Sequence, residues 1–172
     1  MDVFKAIKTR RSIRKFDSSK EITDQQIEKL LEAARWAPSA GNLQSRFFVV
    51  TRNETLKHKL MKAALNQEEV AQAPLVIISC ADPEQSASKY GTRGRELYAI
   101  QDATIATQNI WLAATAMGLG AVWVGAFNEK KVAKLLDLPS IMRPIAILPI
   151  GYPAESPPPP ARRSISKIHK KL

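Results

Sequence analysis

Apolar residues recur along this chain with two different spacings, which separate predicted helices from predicted strands. Helical spacing is clearest in ITDQQIEKLLEAARWAP, where one face is apolar. The stripe on that face consists of Ile27, Leu30, Leu31 and Ala34. Thr23 and Gln26 have the spacing of a capping box, and Pro38 is expected to end the helix. PSAGNLQS follows as a loop of small, turn-forming residues.

Shorter patterns predict the other helices. They are an N-terminal helix capped by Asp2 with Val3, Phe4 and Ile7 on one face, a helix at 54–64, a long helix at about 96–117, and a short helix from Asn128 through Leu136. The long helix is apolar almost all round, so we expect it to be a buried central helix. The polar stretch at 82–94 is expected to be a surface loop.

Four apolar runs rich in β-branched and aromatic residues predict strands. They are Phe47–Thr51, Leu75–Cys80, Ala121–Ala126 and the segment IAILPIG. Four consecutive prolines follow and predict an extended tail, because proline cannot continue a helix. No internal repeat or second domain is visible. The order of elements therefore predicts one domain over residues 1–172, of the α+β or the α/β class.

Composition places the chain among ordinary globular proteins. It has 172 residues, of which 45% are hydrophobic and 24% charged. No apolar run has the length that crosses a bilayer, so we expect no membrane partner. Cys80 is the single cysteine, which excludes an internal disulfide and fits a reducing compartment. We therefore expect a cytoplasmic protein.

Positive charge gathers at the two ends of the chain. The net charge is +10, and the excess lies in residues 5–20 and in RRSISKIHKK. RRSIRKF, residues 10–16, packs four cations into one short segment, and neighbouring cations repel. The segment therefore indicates an anion, which is a nucleic acid, an anionic lipid surface or a bound phosphate. The two basic ends are either two solvated tails or two segments that the fold brings to one anion.

The chain lacks the residue groups of a hydrolase or a metalloenzyme. His58 and His169 are far apart, and no Cys/His group has metal-ligand spacing, so we expect no metal. Neither a GxSxG elbow nor a Walker A loop is present, and GLGAVWVG lacks the GxGxxG fingerprint. If the protein is an enzyme, the lack of an evident side-chain acid, base or nucleophile indicates that a cofactor carries out the chemistry.

Four sequence blocks resemble the nitroreductase family of flavoenzymes. They are RRSIRKF, APSAGNLQ, GLGAVWVGAF and GYPAESPPPPARRS, and QDATIATQNIWLAA is similar to the central helix of that family. The resemblance implies an α+β fold with a mixed central sheet flanked by helices and a C-terminal segment that embraces a partner subunit. It also implies a homodimer with FMN at the interface. The reaction that it implies is ping-pong transfer of hydride from NADH or NADPH through FMN to a small acceptor such as a nitroaromatic or a quinone.

The resemblance assigns the two basic ends to the FMN phosphate. The residues so assigned are Arg10, Arg11, Ser12, Arg14, Arg162 and Arg163. Arg11 is placed nearer the ring system. Arginine forks suit a phosphate dianion because they pair with it in a planar, bidentate manner. The proline run before Arg162 would stiffen the approach of the tail.

The resemblance assigns a second set of residues to the flavin ring. Those from the opposite subunit are Pro38, Ser39, Ala40, Asn42 and Gln44. The other residues assigned to the ring are Asn66, Val124, Gly125 and Ala126. Backbone groups of Gly125 and Ala126 would face the reactive N5 atom, which makes these two the catalytic candidates. Ser45-Arg46 departs from the pattern, since many members have a proline and an aromatic residue there, and this leaves substrate access open.

Other interpretations remain open at the level of sequence. RRSIRKF is alternatively a solvated basic face. Nucleic-acid binding rests on net charge alone, because no helix-turn-helix, zinc finger or aromatic RNA platform supports it, and we expect no nucleic-acid partner. A flavin protein with flavin-consuming or dehalogenating chemistry is a further alternative. A yellow purified protein favours a flavoenzyme, whereas a colourless protein that shifts DNA favours a nucleic-acid binder.

Overall fold

A four-stranded antiparallel sheet forms the middle layer of the structure, a computed structural model that describes residues 1–172. The strand order is β1-β2-β4-β3. The strands are β1 Arg46–Thr51, β2 Leu75–Ala81, β3 Gly120–Ala121 and β4 Arg143–Gly151. Parallel pairing is confined to one isolated bridge, between Ser12 and Ala121. The mixed character that we expected of the sheet is thus limited to that bridge, and the α+β class is confirmed.

Seven α-helices surround the sheet. They are α1 Val3–Thr9, α2 Asp24–Arg35, α3 Glu54–Ala63, α4 Glu69–Gln72, α5 Pro83–Arg93, α6 Ala99–Ala116 and α7 Glu129–Leu135. A π-helix at Gly94–Tyr98 joins α5 to α6, and short 3-10 turns lie at Ala40–Asn42 and Ile165–Lys167. Asp2, Thr23 and Asn128 cap their helices as predicted, and the capping box at the start of α2 is present. None of the helices combines the length and apolar character that a bilayer crossing requires.

The core has two layers, one on each face of the sheet. Alternate residues of β2 point to opposite faces, because the side-chain period of a strand is two. Leu75 and Ile77 pack with α2 and α6 on one face, whereas Val76 and Ile78 pack with α3 and α7 on the other. β2 is therefore buried along its whole length, as its continuous apolar run predicts.

The prediction of a surface loop at 82–94 is wrong, because most of this segment forms α5. Asp82 caps the helix, and its carboxylate accepts a hydrogen bond of 3.0 Å from the backbone N–H of Gln85. Pro83 occupies the first turn, where its missing N–H costs nothing. Asp82 followed by Pro83 is a helix start signal within this polar stretch. Gly91, with φ +54°, breaks the helix near its end.

Two further expectations need correction. The strand expected at 121–126 is limited to Gly120–Ala121, followed by one bridge between Val124 and Ile147, so the chain leaves the sheet before Gly125. The long helix is not buried all round. Its small residues pack against the sheet, and its opposite side is exposed at Gln101, Thr104, Ile105 and Gln108.

Candidate functional site

RRSIRKF is held in place between the sheet and the start of the C-terminal tail. Ser12 bridges to Ala121, and the backbone N–H of Ile13 donates to the carbonyl of Ala121 at 3.0 Å. On the other side, the backbone N–H of Arg14 donates to the Glu155 carboxylate at 2.6 Å. RRSIRKF is therefore held next to the start of the segment that leads to the C-terminal basic end, and the charge of Arg162 from that end acts on Arg10.

Arg10, Arg11 and Arg162 form a group of cations that we call the arginine cluster. The guanidinium carbon of Arg10 lies 4.3 Å from the ring centroid of Trp111. Burial and the charges of Arg162 and Arg11 lower the pKa of the Arg10 guanidinium from its usual value. No carboxylate pairs with any member of the cluster. Converging cations without a counter-ion are the environment that a phosphate dianion needs, so the residues present fit an FMN phosphate.

The remaining predicted phosphate ligands are arranged differently. Arg14 forms an ion pair with Glu69, with 3.8 Å between the nearest atoms. Arg163 is exposed and makes no side-chain hydrogen bond, whereas the charge of Arg162 acts on Arg10. Within the arginine cluster itself, the Arg11 guanidinium donates to the carbonyls of Lys8 and Arg10, each at 2.8 Å. Of the two tail arginines, Arg162 is thus the one whose charge lowers the pKa of the Arg10 guanidinium.

The second predicted block is the 38–45 loop, PSAGNLQS, which is anchored on α6 by one carboxylate. Asp102 is 3% exposed. It accepts a 3.0 Å hydrogen bond from the backbone N–H of Ala40 and a 2.6 Å hydrogen bond from the hydroxyl of Ser45. Sequence reasoning missed Asp102 as a functional residue. The sequence feature that points to Asp102 is a carboxylate inside an otherwise apolar helix, where an unpaired charge is costly.

The turn inside the 38–45 loop has an unusual backbone. Gly41, Asn42 and Gln44 all have positive φ, at +57°, +56° and +53°. The backbone N–H of Gln44 donates to the hydroxyl of Ser39 at 3.0 Å. Asparagine tolerates the left-handed region better than most residues, and no side-chain hydrogen bond occupies the amide of Asn42 or of Gln44. Both amides are exposed and therefore available to a ligand.

Ser45-Arg46, the departure from the family pattern, has a structural explanation. Ser45 contributes the buried hydroxyl on Asp102. The Arg46 guanidinium donates to the carbonyls of Arg35 at 3.0 Å and Ala37 at 2.9 Å, which lie at the C-terminal end of α2. Cations favour that end of a helix, because its carbonyls carry partial negative charge. This pair of residues therefore ties the loop to both α2 and α6.

The third predicted block follows the sheet. Val124 is buried and bridges to β4, whereas Gly125 and Ala126 are exposed. The side-chain amide of Gln67 donates to the carbonyl of Ala126 at 2.9 Å. Asn66, the neighbour of Gln67, has φ +59° and lies in the tight turn after α3. The structure thus brings the Asn66 turn to the predicted catalytic backbone, and it adds Gln67 as a residue that orients it.

Within one chain, the arginine cluster and the 38–45 loop do not meet. The cluster contacts α6 at Trp111, and the loop contacts α6 at Asp102. These helix positions are nine residues apart, which corresponds to about 13.5 Å along the axis and about half a turn around it. The two blocks therefore attach to opposite faces of α6.

Two cavities stand out. One of about 520 Å³ is lined by Pro38, Ser39, Ala40, Tyr98 and the start of α6. The larger, of about 970 Å³, contains none of the predicted site residues. Its cations Lys20, Arg52 and Lys57 each pair with a carboxylate, so it offers no free positive charge. The smaller cavity is the one beside the predicted site.

Neither a metal cluster nor the cysteine offers an alternative catalytic chemistry. No three His, Cys, Asp or Glu side chains come together in a way that could hold a metal ion. Cys80 is fully buried, and burial raises the pKa of its thiol to about 12. A protonated, inaccessible thiol is not a nucleophile.

Comparison with known proteins decides the family. A family model described as "Nitroreductase family" matches residues 7–82 and 62–152. The chain belongs to the nitroreductase family. Similar proteins include one from Methanothermobacter thermautotrophicus, provisionally named NADH dehydrogenase/NAD(P)H nitroreductase, with 39% identity over 91% of this chain and 80% of the relative. The FMN reductase [NAD(P)H] of Bacillus subtilis is 30% identical over 90% of this chain and 67% of that protein.

Solved nitroreductase-like structures agree with the family membership. The NADPH:FMN oxidoreductase from Vibrio harveyi, solved in complex with NAD⁺, has a TM-score of 0.90 and 28% identity to this chain. The match covers 98% of this chain and 76% of that one. The family resemblance read from the four sequence blocks, and the nitroreductase-like fold that it implied, are therefore confirmed.

Proposed function

We propose that the protein is an FMN-dependent oxidoreductase that uses NADH or NADPH and reduces a small acceptor such as a quinone or a nitroaromatic in a ping-pong cycle. The arginine cluster carries this proposal, because it is a group of cations without a counter-ion at the block that resembles the FMN phosphate site. The similar proteins include an FMN reductase and an NADPH:FMN oxidoreductase, which supports the same chemistry.

Each block of the site has a distinct task in this proposal. When bound, FMN would supply hydride transfer between reduced nicotinamide and the acceptor. Arg10 and Arg162 would hold the phosphate, with Ser12 as a hydroxyl donor. Backbone N–H groups at Gly125 and Ala126 would stabilise negative charge at the reactive edge of the ring, and the absence of a side chain at Gly125 would leave room for nicotinamide. The full set of proposed contacts is Arg10, Arg11, Ser12, Arg14, Pro38, Ser39, Ala40, Asn42, Gln44, Asn66, Val124, Gly125, Ala126, Arg162 and Arg163.

A homodimer with FMN at its interface is part of the proposal. The 38–45 loop and the arginine cluster lie on opposite faces of α6, so a second copy is needed to bring both to one flavin. Apolar side chains are available for such contact, since Val3, Phe4 and Ile7 of α1 are 58%, 71% and 51% exposed. Ile105 on the open side of α6 is 41% exposed. Clustered exposed apolar residues are typical of an interaction surface.

The visible spectrum of the purified protein tests the cofactor. We expect a flavin spectrum, with FMN as the flavin released on denaturation. Anaerobic NADH or NADPH should bleach it, and a quinone or nitroaromatic should restore the colour. Light scattering at micromolar concentration should give the mass of a dimer. A flavin that stays oxidised under excess NADH and NADPH would contradict the reductase function, and a stable monomer with stoichiometric FMN would contradict the shared site.

Gly125 tests the placement of the reactive edge. A β-carbon at Gly125 would lie 3.2 Å from the indole nitrogen of Trp123 and would otherwise project into open space. We expect Gly125→Val to slow flavin reduction roughly 10- to 100-fold, since small misplacements of reacting groups have effects of that order. Stopped-flow absorbance on the FMN-loaded variant measures this, with Gly125→Ala as the smaller change. An unchanged reduction rate for the valine variant would place Gly125 away from the reactive edge.

A further inference from the structure

The segment from α5 to the start of α6 brings two tyrosines and two free cations to the 38–45 loop. Tyr90 and Tyr98 form an edge-to-face pair with 5.2 Å between ring centroids. The Nζ atom of Lys89 lies 5.5 Å from the ring of Tyr90, and the guanidinium of Arg93 lies 5.5 Å from the ring of Tyr98. We call these four residues the tyrosine–cation group.

The tyrosine–cation group contacts the proposed flavin loop directly. A β-carbon at Gly41 would lie 2.6 Å from the hydroxyl oxygen of Tyr90 and 3.1 Å from the Nζ atom of Lys89. Tyr98 lines the cavity of about 520 Å³ together with Ser39 and Ala40. A molecule that docks against the proposed flavin site at this loop therefore meets the group.

The two cations of the group have no carboxylate partner, whereas the neighbouring cation Arg95 has one. Arg95 on the same segment is neutralised by Glu84 through two hydrogen bonds of 2.9 and 2.8 Å. Lys89 and Arg93 pair with no carboxylate, and Arg93 instead donates a 3.0 Å hydrogen bond to the hydroxyl of Tyr98. Two free cations beside two aromatic rings form a surface suited to a planar molecule that bears a negative charge.

We infer that the electron acceptor is an anionic aromatic compound, with a carboxylate or sulfonate attached directly to its ring. A ring against Tyr90 or Tyr98 brings a directly attached anionic substituent within reach of Lys89 or Arg93. The phosphates of NADH are separated from the nicotinamide ring by a ribose and would lie further from the cations. This inference rests on the proposed reductase function and adds the class of acceptor to it.

The test compares 4-nitrobenzoate with 4-nitrobenzamide as acceptors for the FMN-loaded dimer. The two have similar shapes and differ by one charge. We expect Lys89→Gln and Arg93→Gln each to lower kcat/KM for 4-nitrobenzoate roughly 1.5- to 5-fold, the range for exposed ion pairs, and the double variant to lower it further. The value for 4-nitrobenzamide should stay unchanged. Each compound is compared with itself across variants, so differences in reduction potential between the compounds cancel. Arg95→Gln removes a neighbouring charge that is already paired and is the matched control.

A binding measurement tests, independently of turnover, whether Lys89 and Arg93 bind an anionic aromatic compound. Benzoate and benzamide are titrated into the oxidised protein by calorimetry, and only the benzoate affinity should fall in the Lys89 and Arg93 variants, with less effect at high salt. Equal losses for both compounds, or losses confined to reduction by NADH or NADPH, would overturn the inference. Failure of NADH and NADPH to reduce the flavin would instead count against the proposed function, and the benzoate titration would still test the anion site.

Discussion

The guanidinium of Arg10 stacks on the indole of Trp111, with 4.3 Å between the guanidinium carbon and the ring centroid. Trp111 is 8% exposed, and its indole N–H has no hydrogen-bond partner. The ring face attracts the cation and holds it against α6. One basic residue of RRSIRKF is thereby oriented by the central helix, next to Arg162 from the tail.

We predict that Trp111→Leu weakens FMN binding about 2- to 30-fold, since a desolvated cation–π contact contributes about 0.5–2 kcal/mol. The reason is that Arg10 loses the surface that orients it toward the phosphate. Fluorescence titration of the apoprotein with FMN and with riboflavin measures the effect. Riboflavin has no phosphate, so its affinity should change little, and Trp111→Phe, which keeps a ring face, should retain most FMN affinity. A parallel loss for both flavins would mean that Trp111 only supports the fold.

Arg10 and Arg162 should act on one ligand. We predict that Arg10→Ala weakens FMN roughly 10- to 150-fold, because a hydrogen bond to a charged group contributes about 1.5–3 kcal/mol. Arg162→Ala should weaken FMN as well, and the double variant should lose less than the sum of the two changes. The same titrations with FMN and riboflavin decide this. Arg163→Ala is the matched control from the same tail and should have the smaller effect. Strict additivity would argue against a shared phosphate.

Gly41 and Gly118 offer a matched pair for backbone strain. Both have positive φ, +57° and +76°, but a β-carbon at Gly118 would meet open space whereas one at Gly41 would meet Tyr90. Gly118→Ala should lower the free energy of unfolding by about 1–2 kcal/mol, the cost of a left-handed L-residue. Gly41→Ala should lower it further. Urea denaturation of the apoprotein measures both.

Removal of the Tyr90 hydroxyl should relieve the steric clash that Gly41→Ala introduces. Tyr90→Phe removes the oxygen that lies 2.6 Å from the β-carbon position of Gly41. In the Tyr90→Phe background, Gly41→Ala should therefore approach the cost of Gly118→Ala. Equal costs for the two glycine substitutions in the native background would show that the 38–45 loop moves freely relative to α5.

Because of Cys80, we predict that the free energy of unfolding decreases as the pH rises in the alkaline range. Burial raises the pKa of its thiol from 9.0 to about 12, so the folded state resists ionisation that the unfolded state undergoes. Because the folded pKa is raised, this contribution to stability is complete below pH 9 and is lost as the pH rises toward 12. The loss is about 1.4 kcal/mol per pH unit in that window.

The cysteine prediction is measured by urea denaturation at pH 8 and pH 10. Wild-type protein should lose more unfolding free energy over this range than Cys80→Ala, which has no thiol to ionise. Iodoacetamide at pH 8 should label the native protein far more slowly than the unfolded one. Identical pH dependence in the wild-type and alanine proteins would show that Cys80 does not ionise on unfolding in this range.

Local signals were sufficient for much of the fold and for the family. The capping box at Thr23 and Gln26, the apolar run at 75–80 and the clustered cations of RRSIRKF each depend on residues close in sequence, where spacing dictates geometry. The same local reading failed at 82–94, because Asp82 and Pro83 suit either a turn or a helix start. Packing against the rest of the chain decides between those two outcomes.

Which distant residues work together depends on long-range packing. The hydrogen bonds of Asp102 to Ala40 and Ser45 join positions 62 and 57 residues apart, and no periodicity relates them. The preference for Arg162 over Arg163 beside Arg10 depends on the path of the tail after β4. Helix geometry places Asp102 and Trp111 on opposite faces of α6. Which segments of the chain pack against each of those faces is set by the fold. Sequence thus determined the residue types that suit an anion and a flavin, whereas long-range packing decided which of them share a surface, because those contacts are set by the fold and not by neighbours in the chain.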